Sequence, residues 1–103
     1  TQVGILNIAD KIGSNILGIK LHADIIDDFD QDFINKIKIP SIKHEFLIIE
    51  DRKFCDIGET VKSQSASITE YADLVTCHAI SGASVIIGLM ENCIKNKCDL
   101  HIT

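Results

Sequence analysis

Short apolar runs alternate with stretches of helical spacing along most of the chain. The runs at residues 15–22, 45–53 and 73–78 predict buried strands, and residues 99–103 predict the start of a fourth. Strand starts recur about every 25–30 residues, which is the period of βα units in a parallel sheet. Because continuous apolar runs are typical of strands buried on both faces, the pattern predicts an α/β fold.

The stretches between these strands predict helices. Residues 24–38 place isoleucine and phenylalanine close to one helical face, and residues 60–72 and 83–97 predict the next two helices. Residues 1–12 predict the tail of another helix, which Gly13 is expected to stop. The single proline, Pro40, is expected in the connection before the second strand.

This order of elements fits two architectures, an open doubly wound sheet and part of a (β/α)8 barrel. A complete barrel needs roughly 250 residues, whereas this chain has 103. The chain begins inside a predicted helix and stops inside a predicted strand. We therefore expect one domain that is a fragment of a larger protein.

Composition excludes some classes of function. Ten basic residues against 15 acidic ones give a net charge of −5, which argues against a nucleic-acid partner but leaves an anionic substrate open. No apolar run is long enough to predict a membrane span, and no signal peptide is apparent. The four cysteines form neither a C-x-x-C pair nor a zinc pattern, so reduced thiols in a cytoplasmic protein are expected.

Each of the first three predicted strands ends in two polar residues, two positions apart. These pairs are Lys20 and His22, Asp51 and Lys53, and Thr76 and His78. A period of two puts both members of a pair on one face, and parallel α/β folds bind ligands at this end of the sheet. Thr76 or His78 alone would only indicate where a strand reaches solvent, but the first two pairs together favour a site.

The densest signal is the segment EDRKFCDIG at residues 50–58. Its Asp-x-Lys-x-x-Asp spacing puts Lys53 between Asp51 and Asp56, and neighbouring negative charge favours a protonated lysine. A protonated lysine in a dry pocket can act as a general acid. A surface salt-bridge cluster is the alternative, but the apolar run at residues 46–49 indicates that the segment begins within the sheet.

These motifs resemble those of orotidine 5′-phosphate decarboxylases, in a form closer to eukaryotic-type members. Residues 50–61 resemble the family signature, residues 19–29 (IKLHADIIDDF) its Lys-x-His-x-Asp strand end, and residues 72–89 its next strand and helix. The resemblance implies part of a (β/α)8 TIM barrel, about strands 2 to 5 with the intervening helices. Residues 1–103 would then form a partial barrel without its first and last strands.

The resemblance also implies a reaction, the decarboxylation of orotidine 5′-monophosphate to UMP in pyrimidine biosynthesis, without metal or organic cofactor. Lys53 would stabilise the carbanion that develops at C6 of the pyrimidine and then protonate it. Asp51 would lie beside the departing carboxylate and orient Lys53. Lys20 would bind Asp51 and the ribose.

By the same resemblance, the partner is a second copy of the chain. Asp56 and Thr60 would reach the neighbouring subunit's site and bind the ribose, which implies a homodimer with shared sites. His22 would lie near the ribose and phosphate, and Ile57 would line the pyrimidine pocket. Because the family's phosphate-binding segments are missing, the isolated chain is expected to be nearly inactive.

Two other functions stay open. Magnesium-dependent sugar-phosphate decarboxylases and aldolases of the same suprafamily share the Asp-x-Lys-x-x-Asp motif, although Lys20 and His22 argue against them. A non-catalytic truncated remnant is the second alternative, and the intact charged motif argues against long decay. Fusion of the parent to an orotate phosphoribosyltransferase is also open.

Overall fold

The four strands form one parallel sheet in the order in which they occur along the chain, each paired with the next. The computed structural model describes all 103 residues. The α/β prediction is therefore confirmed. The elements are α1 Gln2–Ile12, β1 Gly18–Leu21, α2 Gln31–His44, β2 Leu47–Phe54, α3 Gly58–Ser65, α4 Ile68–Tyr71, β3 Leu74–Cys77, α5 Ala83–Asn96 and β4 Asp99–Ile102.

The two faces of the sheet differ in burial. One face packs against the helices, and its side chains, such as Ile48 and Val75, are fully buried. The other face lies open, so that Leu47 is 50% exposed and Lys20 reaches solvent. This open face is the one that a closed barrel would turn inward. No helix in the structure has the length and apolar character needed to cross a membrane.

Helix α2 differs most from its prediction. The helix begins at Gln31 rather than near residue 24, because the Asp30 carboxylate caps it by accepting the Phe33 N–H at 2.7 Å. Residues Ala23–Ile25 instead form a single 3-10 turn. The residues after this turn lead into the cap without joining the helix.

The expected position of Pro40 is wrong, since this residue lies inside α2. A proline cannot donate the helical hydrogen bond to the carbonyl four residues earlier, which normally ends or bends a helix. Pro40 is nevertheless buried, and it continues the buried positions Phe33 and Ile37 along the helix. Burial of this face outweighs the lost hydrogen bond, and α2 continues to His44.

Helix α1 ends at Ile12 as predicted, but Gly13 does not end it with a left-handed turn. Gly13 is right-handed, with φ −52°, and continues into a 3-10 turn. Glycine allows close packing there, because a Cβ would lie 2.7 Å from Cδ2 of His44 on α2 and the His44 ring would have to shift.

The other elements lie at their predicted positions, with ends that differ by a few residues. The predicted helix at residues 60–72 is two helices, α3 and α4. The predicted helix at residues 83–97 is α5, and all four strands occur where they were predicted. The fold thus brings the carboxyl ends of β1, β2 and β3 side by side.

Candidate active site

Asp51 is the centre of a charged cluster at the carboxyl end of the sheet. Its Oδ2 accepts a hydrogen bond from Lys53 Nζ at 2.6 Å and lies 3.3 Å from Lys20 Nζ. Its Oδ1 accepts a hydrogen bond from the Thr76 hydroxyl at 3.0 Å. Three neighbouring strands therefore each supply one side chain to a single carboxylate.

Strand register explains why these side chains meet. Lys20 on β1 is paired with Ile49 on β2, so its side chain has to extend along the sheet by two residues to reach Asp51. Both lysines are partly exposed, Lys20 at 66% and Lys53 at 47%, whereas Asp51 is 16% exposed. The carboxylate is thus covered by its own cationic partners.

Strand β2 is irregular where it carries the charged motif. Glu50 pairs with Val75 and Phe54 with Cys77, so four steps along β2 match two steps along β3. Within this bulge Lys53 is left-handed, with φ 51°, and its N–H donates to Thr76 Oγ1 at 3.0 Å. Bulges redirect side chains near active sites, and this one turns the Lys53 ammonium back toward Asp51.

The electrostatics of Asp51 follow from these contacts. The hydrogen bond from Lys53, together with those from Thr76 and Lys20, lowers the pKa of the Asp51 carboxyl to about 2, even though desolvation opposes the shift. Asp51 is therefore ionised at neutral pH. The cluster presents two ammonium groups and one carboxylate to the open face of the sheet.

Asp56, Ile57 and Thr60 lie apart from this cluster, after the end of β2. The Asp56 carboxylate accepts the N–H of the next residue, Ile57, at 2.7 Å and makes no ion pair with Lys53. Ile57 is 66% exposed and directly precedes α3, on which Thr60 is half-buried. Because β2 ends at Phe54, Asp56 and Ile57 lie past the carboxyl end of the sheet, in the connection to α3.

His22 is close to the cluster in sequence but is not bonded to it. The residue follows β1, and its Nε2 lies 3.8 Å from Asp24 Oδ2. This nitrogen is buried and has no hydrogen-bond partner. Asp24 is in turn held by Arg52 Nε at 3.0 Å.

Thr76 is a member of the cluster that is not among the predicted site residues. Its hydroxyl accepts from the Lys53 backbone and donates to Asp51, so it connects β3 to the bulge. The signal was present, because Thr76 ends an apolar strand and lies on the face predicted for the charged pairs. Its neighbour His78 instead contacts Thr103, with Nδ1 and Oγ1 2.9 Å apart.

The cysteines do not contribute to this cluster. All four are free thiols, of which Cys77, Cys93 and Cys98 are buried and Cys55 is exposed. Burial raises the pKa of each buried thiol, to about 12 for Cys98, which makes these three poor nucleophiles.

Among known proteins, similar sequences are named orotidine 5′-phosphate decarboxylase or uridine 5′-monophosphate synthase. The chain is 48% identical over 91 residues to an orotidine 5′-phosphate decarboxylase of Schizosaccharomyces pombe, with 84% of this chain and 34% of that protein covered. It is 46% identical to a uridine 5′-monophosphate synthase of Bos taurus, covering 84% of this chain and 19% of that protein. The chain thus spans about a third or less of the length of these relatives.

Solved structures agree on the fold. An orotidine 5′-monophosphate decarboxylase from Methanocaldococcus jannaschii superposes with a TM-score of 0.86 at 19% identity, covering 99% of this chain and 48% of that one. A second structure of that enzyme, complexed with the inhibitor BMP, gives a TM-score of 0.85. The predicted barrel segment is therefore confirmed, and the doubly wound alternative is wrong.

A family model settles the relationship. The model for the orotidine 5′-phosphate decarboxylase / HUMPS family matches residues 2–103, which is nearly the whole chain. This match and the sequence relatives agree with each other. The chain belongs to the orotidine 5′-phosphate decarboxylase / HUMPS family.

Proposed function

We propose that this chain supplies the central charged network of an orotidine 5′-phosphate decarboxylase, a lyase that converts orotidine 5′-monophosphate to UMP. The observation that carries the proposal is the contact of Lys20 and Lys53 with one oxygen of Asp51, at 3.3 and 2.6 Å. The names of the sequence relatives support the same reaction.

The chemistry follows from the charges. When the bond between C6 and the carboxylate breaks, its electron pair stays on C6 and CO2 leaves. An ammonium group fixed beside C6 stabilises that charge more than it stabilises the substrate. Lys53 then donates its proton to C6, which completes UMP, and recovers a proton from water. No cofactor is needed for this balance.

Asp51 and Lys20 prepare Lys53 for this step. Asp51 holds the Lys53 ammonium in one orientation, and Lys20 offsets the negative charge of Asp51 and remains free to bind the ribose. Thr76 fixes both the carboxylate and the Lys53 backbone. The ammonium is therefore in place before the substrate arrives, and little reorganisation is needed during the reaction.

We further propose that the active protein is a homodimer with shared sites. Asp56 and Thr60 would bind the ribose in the neighbouring subunit, His22 would lie near the ribose and phosphate, and Ile57 would cover the pyrimidine. Asp56 and Ile57 are exposed beyond the end of β2, and neither contacts the charged cluster around Asp51 in the same chain, which supports this assignment. The four free thiols favour a cytoplasmic location.

The contacts of Asp51 argue against a magnesium-dependent relative. A magnesium ion binds carboxylate oxygens that are free to coordinate it, whereas Asp51 Oδ2 is within 3.3 Å of two ammonium groups. We therefore favour the reaction that requires no metal.

The proposal is tested in the full-length parent protein by following the absorbance of orotidine 5′-monophosphate with EDTA present. We expect turnover that EDTA leaves unchanged, and loss of at least about 10³-fold in kcat for Lys53→Ala, the scale expected for a proton donor that also stabilises the charge. Lys36→Ala is the matched control, since Lys36 pairs with Asp32 on the surface of α2. Retained turnover in Lys53→Ala would refute the assigned role.

A further inference from the structure

Glu50 is a fully buried carboxylate directly before Asp51 in the chain. Its exposed fraction is 0%, and it lies on the face of β2 that packs against the helices. Buried carboxylates persist only where hydrogen bonds compensate for lost hydration. Glu50 has two such bonds: its Oε1 accepts the Ala23 N–H at 2.9 Å and its Oε2 accepts the Tyr71 hydroxyl at 2.8 Å.

The bond from the Ala23 N–H joins Glu50 on β2 to the turn that follows β1. Ala23 begins the turn that follows β1, and His22 is the residue immediately before it. Arg52, two positions after Glu50, holds the same turn through Asp24 at 3.0 Å. The outward side chains of β2 thus fasten the turn after β1, while the inward side chains Asp51 and Lys53 form the charged cluster.

The second bond fixes Glu50 itself. Tyr71 ends α4 and is 3% exposed, so its hydroxyl approaches Glu50 from the helix layer. Burial and the nearby Glu50 charge raise the pKa of the Tyr71 hydroxyl above its ordinary value, which keeps it as a hydrogen-bond donor. The carboxylate is therefore held by one donor while it holds the Ala23 backbone with its other oxygen.

We propose that Glu50 is a positioning residue: its buried carboxylate clamps the turn after β1 and so fixes Lys20 and His22 relative to Asp51 and Lys53. The inference rests on the proposed function, since it assigns Lys20 and His22 to the binding of substrate. Strand pairing ends at Leu21 and Glu50. Beyond that point, the Glu50 clamp and the Arg52–Asp24 pair hold the turn after β1 to β2, in addition to the Lys20–Asp51 ion pair of the cluster itself.

The test compares Glu50→Ala, Glu50→Gln and Tyr71→Phe with wild type in the full-length protein. Hydrogen exchange of the peptide covering residues 22–26 is read by mass spectrometry, and kcat and KM are measured on orotidine 5′-monophosphate. Glu50→Ala should accelerate exchange and lower kcat/KM, each by about tenfold or more, the loss expected for a hydrogen bond to a charged acceptor. Glu50→Gln keeps an acceptor for Ala23 and should restore both to within about threefold.

Leu89→Ala is the control for a general loss of stability. Leu89 is fully buried on α5, a helix whose main packing partner is α3. At a temperature where all variants are folded, Leu89→Ala should leave exchange at residues 22–26 near wild type, because Leu89 lies on α5 and not beside the turn after β1. If Leu89→Ala accelerates exchange at residues 22–26 as much as Glu50→Ala does, the positioning role is overturned.

The remaining outcomes are also decisive. Unchanged exchange at residues 22–26 in Glu50→Ala overturns the clamp, and faster exchange with unchanged kcat/KM overturns its role in the reaction. If Glu50→Ala does not fold, Tyr71→Phe replaces it, since it removes one bond to Glu50 and keeps the ring. Tyr71→Phe should then accelerate exchange at residues 22–26 relative to wild type, and unchanged exchange would overturn the clamp. A wild-type protein without decarboxylase activity refutes the proposed function. Hydrogen exchange at residues 22–26 in the Glu50 variants would still show whether Glu50 holds the turn after β1.

Discussion

A single carboxylate organises the candidate active site. Asp51 Oδ2 is shared by two ammonium groups, and Oδ1 is held by the Thr76 hydroxyl. Removing Asp51 would leave two cations close together, whereas removing one lysine would leave the carboxylate with the other. The two lysines lie at different distances from Asp51 Oδ2, 2.6 Å for Lys53 and 3.3 Å for Lys20. Their separate effects on the pKa of Asp51 can therefore be measured.

The pKa of Asp51 provides the first prediction at this scale. Because the folded value, about 2, lies below the ordinary 3.8, the cluster stabilises the fold above about pH 4 and loses that contribution as pH falls toward 2. Lys53→Ala should raise the pKa of Asp51 more than Lys20→Ala, since Lys53 is nearer. Carboxyl 13C chemical shifts measured against pH would give both values, and an ordinary pKa in the wild-type protein would contradict the cluster.

At the scale of elements, α3 and α5 pack at glycines. A Cβ on Gly88 would overlap the Gly58 carbonyl, and a Cβ on Gly58 would overlap the Ser84 carbonyl. The neighbours are backbone atoms, which cannot rotate away as a flexible side chain could. Since α3 begins at Gly58, directly after Ile57, this contact also sets the position of the segment that carries Asp56.

Gly88→Ala should therefore destabilise the protein, by about 1–3 kcal/mol, as overpacking of a close interface does. Gly4→Ala is the matched control, because a Cβ on Gly4 in α1 would lie an ordinary 3.5 Å from Thr1 Oγ1. There the loss of glycine's flexibility should stabilise the helix by about 0.5–1 kcal/mol. Urea unfolding of the full-length protein compares the two, and equal effects of both changes would count against the tight contact.

The elements also indicate what sequence can and cannot predict. Strand β2 was found because apolar residues run directly into the charged motif. Pro40 was misplaced because local propensity ends helices at proline, while burial along α2 overrides it. The bulge and the left-handed Lys53 depend on Thr76, which is 23 residues away, so no local pattern could predict them. The Glu50 clamp was missed for the same reason.

At the scale of the whole chain, the sheet has an open inner face, and no strand of the chain pairs with the outer edges of β1 and β4. Exposed edges invite pairing with other chains, and the half-exposed Leu47 adds apolar surface to the open face. In a complete barrel, neighbouring strands would cover both edges. Under the proposed homodimer, the partner subunit would contact the barrel at its exposed rim, where Asp56 and Ile57 lie.

Shared sites predict complementation between two inactive proteins. Asp56→Ala and Lys53→Ala homodimers of the full-length protein should each be deficient, because every site lacks one residue. In a mixed dimer, one site carries both defects and the other carries neither, so mixing should restore part of the activity. Subunit exchange should be verified by mass spectrometry, and exchange without recovery of turnover would contradict composite sites.

The strand order has a consequence for biosynthesis. Each strand pairs with the one before it, and no strand is inserted between two earlier ones. As the chain leaves the ribosome from its amino end, each of β2, β3 and β4 therefore meets a partner strand that has already emerged. Translation arrested after α5 should already protect β1 and β2 from protease, and digestion of both at that stage would contradict this sequential assembly.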